Sequence, residues 1–153
     1  MRHLETGISK PIQLAALAVI VLASAILFQR YQSFIAEAKV NEAIHLASES
    51  QLRVSEFYML SGKFPNSEPE VDSVTRNIYN MPDFVQGISI EPEFNDSDVA
   101  IKIHFKADAL KNNSGGEQYI YLAAVRLGTS GQDLEWTCGA VGVDADLLPG
   151  NCS

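Results

Sequence analysis

From Ile12 to Leu60 the chain keeps a helical pattern without a break, but the surroundings that pattern asks for change partway along. Ile12 to Phe28 is apolar on every side: only Gln13 and Ser24 bring polar side chains, and no charge occurs. Seventeen such residues lie at the lower edge of what crosses a bilayer core as a helix. From about Gln29 to Leu60 the pattern becomes amphipathic. Val40, Ala43, Ile44, Ala47, Val54, Phe57 and Tyr58 recur at three- and four-residue spacings and mark one buried stripe. Glu37, Glu42, Glu49, Arg53 and Glu56 fall largely outside it. Neither Pro nor Gly interrupts the chain between Pro11 and Gly62. The expectation is one helix of about fifty residues and roughly 75 Å, stopped by Gly62 with Pro65 just beyond.

After that helix the period shortens. Pro65 to about Phe84 is rich in Pro, Asn, Ser, Asp and Glu and reads as a connection, with a short helical turn at Val71–Tyr79. Gly87 to Glu91 alternates, and Val99 to Lys106 alternates more strictly, placing Val99, Ile101, Ile103 and Phe105 on one face. Asn95-Asp96-Ser97-Asp98 between them has turn chemistry. Tyr119 to Leu127 is a continuous β-prone run of the kind a central strand shows. Lys111 to Gly116 is the connection before it, and Thr129 to Gln132 turns the chain into a fourth strand at Leu134 to Cys138. Four strands with short links predict an antiparallel meander with one face on the helix stripe, an α+β fold.

Charge refines the organisation. The net −8 is uneven: Arg2, Lys10, Arg30 and Lys39 against Glu5 and Glu37 leave residues 1–40 at +2, so the remainder carries −10. An acidic head argues against nucleic acid as a partner, because that binding runs on clustered Lys and Arg. Arg2 and Lys10 precede the apolar run, which orients the N-terminus to the cytoplasm and the head outside. Ala23-Ser24-Ala25 has the form of a secretory cleavage site, but it lies inside the run with Ile26-Leu27-Phe28 still to come.

Cys138 and Cys152 both lie in the last sixteen residues. In an exported head an oxidised pair is the natural reading. A redox pair or metal thiolates are the alternatives, against which stand the lack of Cys-x-x-Cys spacing and of further cysteines. Other chemistry is sparse. His3, His45 and His104 are scattered, with His104 on the polar face of its strand as a solvated residue. Asp96 and Asp98 lack the glycine and glutamate of a calcium loop and read as turn residues. No nucleophile elbow, phosphate loop or paired-histidine metal motif occurs, so the expectation is no enzyme, no cofactor and no metal. Asp144 and Asp146, between the cysteines, are candidates for contact with a receptor.

Several segments together resemble the type IV pilins. Tyr31-Gln32-Ser33-Phe34-Ile35-Ala36-Glu37-Ala38-Lys39-Val40-Asn41-Glu42-Ala43-Ile44-His45-Leu46-Ala47-Ser48 is similar to the stretch that follows a pilin's membrane segment. Glu56-Phe57-Tyr58 and Gly62-Lys63-Phe64-Pro65 resemble the end of the pilin helix. Trp136-Thr137-Cys138 and Leu147-Leu148-Pro149-Gly150-Asn151-Cys152 resemble the disulfide-closed C-terminal region. The resemblance implies a helical spine on a four-stranded antiparallel sheet, with subunits bundled through their apolar helices in an extracellular filament. It also implies a leader removed by a prepilin peptidase and methylation of the new amine. Counting back from Tyr31 by the family's spacing puts the cut between Gly7 and Ile8. The family's glutamate at the fifth place after the cut is replaced here by Ile12, and Ser9, Lys10 and Pro11 replace an apolar start. That glutamate would neutralise a neighbour's amine within an apolar bundle, where an unpaired charge is costly.

The resulting expectation has three segments: a leader at 1–7, a transmembrane and assembly helix at 8–30, and a periplasmic or extracellular head at 31–153. Two functional readings stay open. One is a processed structural subunit, minor or at the tip, that joins other pilin subunits through the assembly machinery and sits in the inner membrane before assembly. The other is an uncleaved inner-membrane accessory or regulatory protein that binds pilus components.

Overall fold

The computed structural model describes residues 10–75, 81–110, 116–127 and 133–152. Gly7 and Ile8, the connection at 111–115, the turn at 129–132 and the 76–79 part of the expected helical turn lie outside them. The chain divides into two compact units, one ending at Ile35 and the other beginning at Ala36. One helix, α1 (Lys10–Ser61), runs through both. Pro11 is already helical, in the first described turn, where a missing N–H removes no helix bond. Gly62 ends the helix at φ 72°, its N–H donating to the Tyr58 carbonyl at 2.8 Å. Phe64 then folds back to stack on Tyr58 with centroids 4.5 Å apart.

The second unit holds the rest. A short helix α2 (Glu68–Thr75) precedes β1 (Val85–Pro92), β2 (Val99–Phe105), β3 (Tyr119–Leu127) and β4 (Asp133–Val141). The sheet order is β1-β2-β3-β4 with every neighbouring pair antiparallel. Register aligns branched side chains in rows on the inner face: Ile90 opposite Ile101, Ile101 opposite Leu122, and Leu122 opposite Cys138. They join Ala36, Val40, Ala43, Leu46, Ala47, Val54 and Tyr58 of α1 in one hydrophobic cluster. Val40, Ala43, Ala47 and Val54 reach 0% exposure. The expected charged positions Glu37, Glu42, Glu49 and Glu56 are exposed.

Three local differences from the sequence expectation have physical causes. The stripe of α1 includes Ser50, buried because its hydroxyl donates to the Leu46 carbonyl at 3.2 Å and so carries its own partner inward. Helix α2 starts three residues before the expected turn at Val71–Tyr79. The Glu70 carboxylate reaches back to the N–H groups of Asn66 (3.1 Å) and Ser67 (3.3 Å), one half of a capping box that fixes the start. Strand β1 begins at Val85 rather than Gly87, across an irregularity in register between Val85 and Gly87. The extra residue lets Val85, Ile88 and Ile90 all pack inward, which strict alternation hides.

Two ion pairs pin the connections. Lys63 Nζ lies 2.7 Å from Glu70 Oε1, tying the helix exit to α2. Asp98 accepts from the Arg126 backbone N–H at 2.8 Å and from Nε at 2.9 Å, locking the start of β2 to the end of β3. The Lys63 ammonium and the Asn66 N–H hold the Glu70 carboxyl at about 2, and the Arg126 guanidinium lowers that of Asp98.

Replacing Ile101 by Ala should lower stability by about 2–5 kcal/mol, whereas Ser50→Ala should cost within about 1 kcal/mol because the Leu46 carbonyl keeps its helix bond. Denaturant titration of the full chain in detergent reads both. Lowered carboxyl values in the folded state stabilise it above the ordinary carboxylate range of about 4, and that stabilisation is lost as pH falls toward the folded values. Unfolding midpoints should therefore drop between about pH 4 and pH 2. They should drop less steeply in Glu70→Gln and Asp98→Asn chains.

Candidate functional site

The C-terminal loop is a constrained surface feature. Cys138, on the inner face of β4, and Cys152 are joined as a disulfide with Cα atoms 4.5 Å apart, as the sequence suggests, and a parallel bridge pairs their backbones. Between them the chain leaves β4 at Gly142 and turns through a single 3₁₀ turn, Ala145–Leu147. The Leu147 N–H donates to the Asp144 carbonyl at 3.0 Å, Leu148 N–H to Ala145 O at 3.1 Å, and Cys152 N–H to Pro149 O at 2.8 Å. Val143, Leu147 and Leu148 are half-buried against the core, so apolar anchors as well as sulfur hold the loop down. Asp144 and Asp146 are exposed, and Asp144 caps the turn by position without a side-chain bond.

Gly142 is a structurally constrained position that sequence patterning passes over. It has φ 70°, and a Cβ there would lie 2.5 Å from the Glu117 carbonyl oxygen. Its own carbonyl accepts from Gln118 Nε2 at 3.0 Å, so the loop exit is clamped to the chain entering β3. A glycine directly after an apolar strand run was the available signal, but only tertiary packing shows how close Glu117 comes.

The face of the sheet away from the helix is more built than its polar alternation implies. Lys102 is 6% exposed there, its ammonium 4.0 Å from the Phe94 ring centroid and 4.8 Å from that of Tyr119, and it pairs with Glu91. Cation–π contact and the carboxylate compensate for its loss of water. His104 is half-buried rather than solvated: its Nε2 lies 2.9 Å from Ser89 Oγ, and its ring packs on Tyr119. Of the two turn carboxylates considered for calcium, Asp98 is taken up by Arg126 and Asp96 is exposed. Among the described residues no three His, Cys, Asp or Glu side chains converge. His45 is exposed on α1, 3.7 Å from Glu49.

The other unit presents apolar surface. Leu14, Leu17, Val19, Ile20, Val21, Leu22, Ile26, Leu27 and Phe28 are all more than half exposed. An eighteen-residue window in α1 has mean hydropathy 2.4 and no burial, so the helix is long and apolar enough to cross a membrane. Ile12, in place of an acid, is 60% exposed. What such a surface can do chemically is associate, with lipid or with like helices.

Gly142→Ala should destabilise the loop by more than about 1 kcal/mol, since it meets both a left-handed backbone and a blocked Cβ position. Gly150→Ala, with open space around its Cβ, should be near neutral. Limited proteolysis and thermal unfolding of the two full-length variants in detergent compare them directly.

The disulfide-closed loop, the four-stranded meander and the apolar helix occur together in filament subunits. Residues 36–153 match the family described as Pilin (bacterial filament). No curated protein matches the chain. The matched span takes in all four strands, α2, the C-terminal loop and the part of α1 that lines the core, so the chain belongs to the type IV pilin family and is a structural subunit of a pilus that assembles with other pilin subunits.

Proposed function

We infer that the chain is processed between Gly7 and Ile8 by a prepilin peptidase and enters a pilus as a minor subunit, with the tip as its place. The observation that carries this reading is the apolar surface of α1. Its exposed side chains call for apolar partners, lipid or like helices. Ala15, Ala16, Ala18, Ala23 and Ala25 allow close helix approach, which suits bundling with like helices. On this reading residues 1–7 are the leader, 8–30 the membrane and assembly segment, and 31–153 the head. The subunit waits in the inner membrane with its head in the periplasm and passes to the extracellular filament through the assembly machinery.

Ile12 supports the tip assignment. A carboxylate at that place would compensate the amine of a neighbouring subunit inside the bundle, and a terminal subunit has no such neighbour to compensate. Asp144 and Asp146 supply receptor contact, supported by their exposure on a loop fixed by the disulfide.

The same departures favour a second reading. Lys10, Pro11 and Ile12 together interrupt the apolar, acid-bearing start of an assembling pilin. An uncleaved chain would stay in the inner membrane as an accessory that binds pilus components.

Intact-mass and N-terminal peptide analysis of membrane and sheared-fibre fractions, with and without the peptidase, separates the two. The expected outcome is a new N-terminus at Ile8 in the fibre fraction, absent without the peptidase. A full-length chain confined to the inner membrane would establish the accessory instead.

A further inference from the structure

The turn joining β1 to β2 borders a shallow, open recess of about 240 Å³ on the outer face of β3 and β4. Phe94, Asn95, Asp96, Tyr121, Ala123 and Thr137 are among the residues that line it. We propose that this recess binds one neutral pyranose ring of a surface glycan, stacked on the aromatic corner and hydrogen-bonded by the polar lining residues. The site lies wholly in the head and is independent of whether the chain is cleaved.

Shape comes first. Phe94 and Tyr121 meet edge to face, with centroids 5.1 Å apart at 61°, and form a corner rather than a closed stack. Such a corner offers an aromatic surface to the C–H face of a sugar ring, as aromatic rings do to other partners with positive edges. Ala123, a small residue, lies opposite Thr137 in the ladder. The volume falls below the range of about 300–1,000 Å³ usual for drug-sized ligands, which suits a single ring and not an extended chain.

Hydrogen bonding comes next. Asp96 and Asn95 are exposed and make no hydrogen bond to other described residues, whereas Asp98, the turn's other carboxylate, is held by Arg126. An amide and a carboxylate pair with vicinal sugar hydroxyls, and the Thr137 hydroxyl, which donates to the Ala123 carbonyl at 3.4 Å, can still accept. The net −10 of residues 41–153, with Asp96 in the lining, disfavours sialylated or phosphorylated ligands and leaves uncharged hexoses and N-acetylhexosamines.

The turn is also preformed. Glu93 and Asn95 hold φ values of 55° and 52°, left-handed for side-chain-bearing residues. They are fixed by Glu93 N–H to Asp98 O at 3.0 Å, by Ser97 N–H to Phe94 O at 3.0 Å, and by Phe94 over the Lys102 ammonium. A ligand would meet walls already in place, which limits the ordering cost of binding. Backbone held in such conformations concentrates at ligand-binding positions.

The test is saturation-transfer NMR on the full chain in a polyoxyethylene detergent, which carries no sugar headgroup. The probes are the methyl glycosides of glucose, galactose and N-acetylglucosamine, with tetramethylammonium as a competing cation. The expected result is transfer to the ring protons of at least one glycoside. Asp96→Ala should weaken that binding about tenfold, the scale of one charge-assisted hydrogen bond, and Thr137→Trp should abolish it by filling the recess. Both are exposed positions; circular dichroism checks each fold, and if Thr137→Trp does not fold, Asp96→Ala decides alone. Transfer to none of the glycosides, or transfer unchanged in the folded variants, overturns the proposal. Stronger transfer to tetramethylammonium than to any sugar also overturns it, reassigning the corner to an organic cation.

Discussion

Shared burial of one helix stripe and one sheet face is the constraint on which the head depends. Ala36, Ala43 and Ala47 put methyl groups where larger side chains would hold the sheet away, and Val40 and Val54 fill the spaces between them. Burial at about 25 cal/mol per Å² rewards that fit only where no void remains. The facing rows supply the complement, because Ile101, Ile103 and Ile120 on the two central strands carry the bulk that the helix lacks. Small residues on α1 and large ones on β2 and β3 are therefore one choice, made across a sequence separation of more than forty residues.

Helix and sheet were legible for different reasons. The long helix shows itself by what it lacks, since neither Pro nor Gly interrupts fifty residues, and its stripe by a spacing that survives inspection. The strands at Val99 and Tyr119 show themselves by alternation and β-prone content. Ser50 stayed hidden because a hydroxyl on an apolar stripe reads as a gap until its bond to the Leu46 carbonyl is seen. The bulge at Val85 shifts alternation by one place, so the strand's first residues look out of phase. Of the site residues, the cysteines could be paired from compartment and count. The closeness of Gly142 to Glu117 could not, because it depends on how two distant turns stack. Burial of Lys102 was equally invisible: it requires Phe94, eight residues earlier, to fold over the sheet.

The two faces of the sheet are stabilised by different physics. The inner face is apolar and packed against the helix. The outer face is held by Lys102 among aromatic rings with Glu91, by Ser89 with His104, and by Asp98 with Arg126. Contacts of this second kind are directional, so they set the position of the β1–β2 turn as well as adding to stability.

The bridge between Cys138 and Cys152 has a consequence for crowding. Strand β4 is a terminal strand, and terminal strands offer unpaired N–H and C=O groups that recruit strands from other chains. In a filament many copies of the head are held at high local concentration, the condition under which stray strand pairing is most damaging. The returning chain lies against β4 at Cys138 and is covalently fixed there. Part of the edge is thus occupied by the protein's own tail, and the tail cannot drift away to uncover it. The disulfide thereby keeps one stretch of the β4 edge paired within the chain itself.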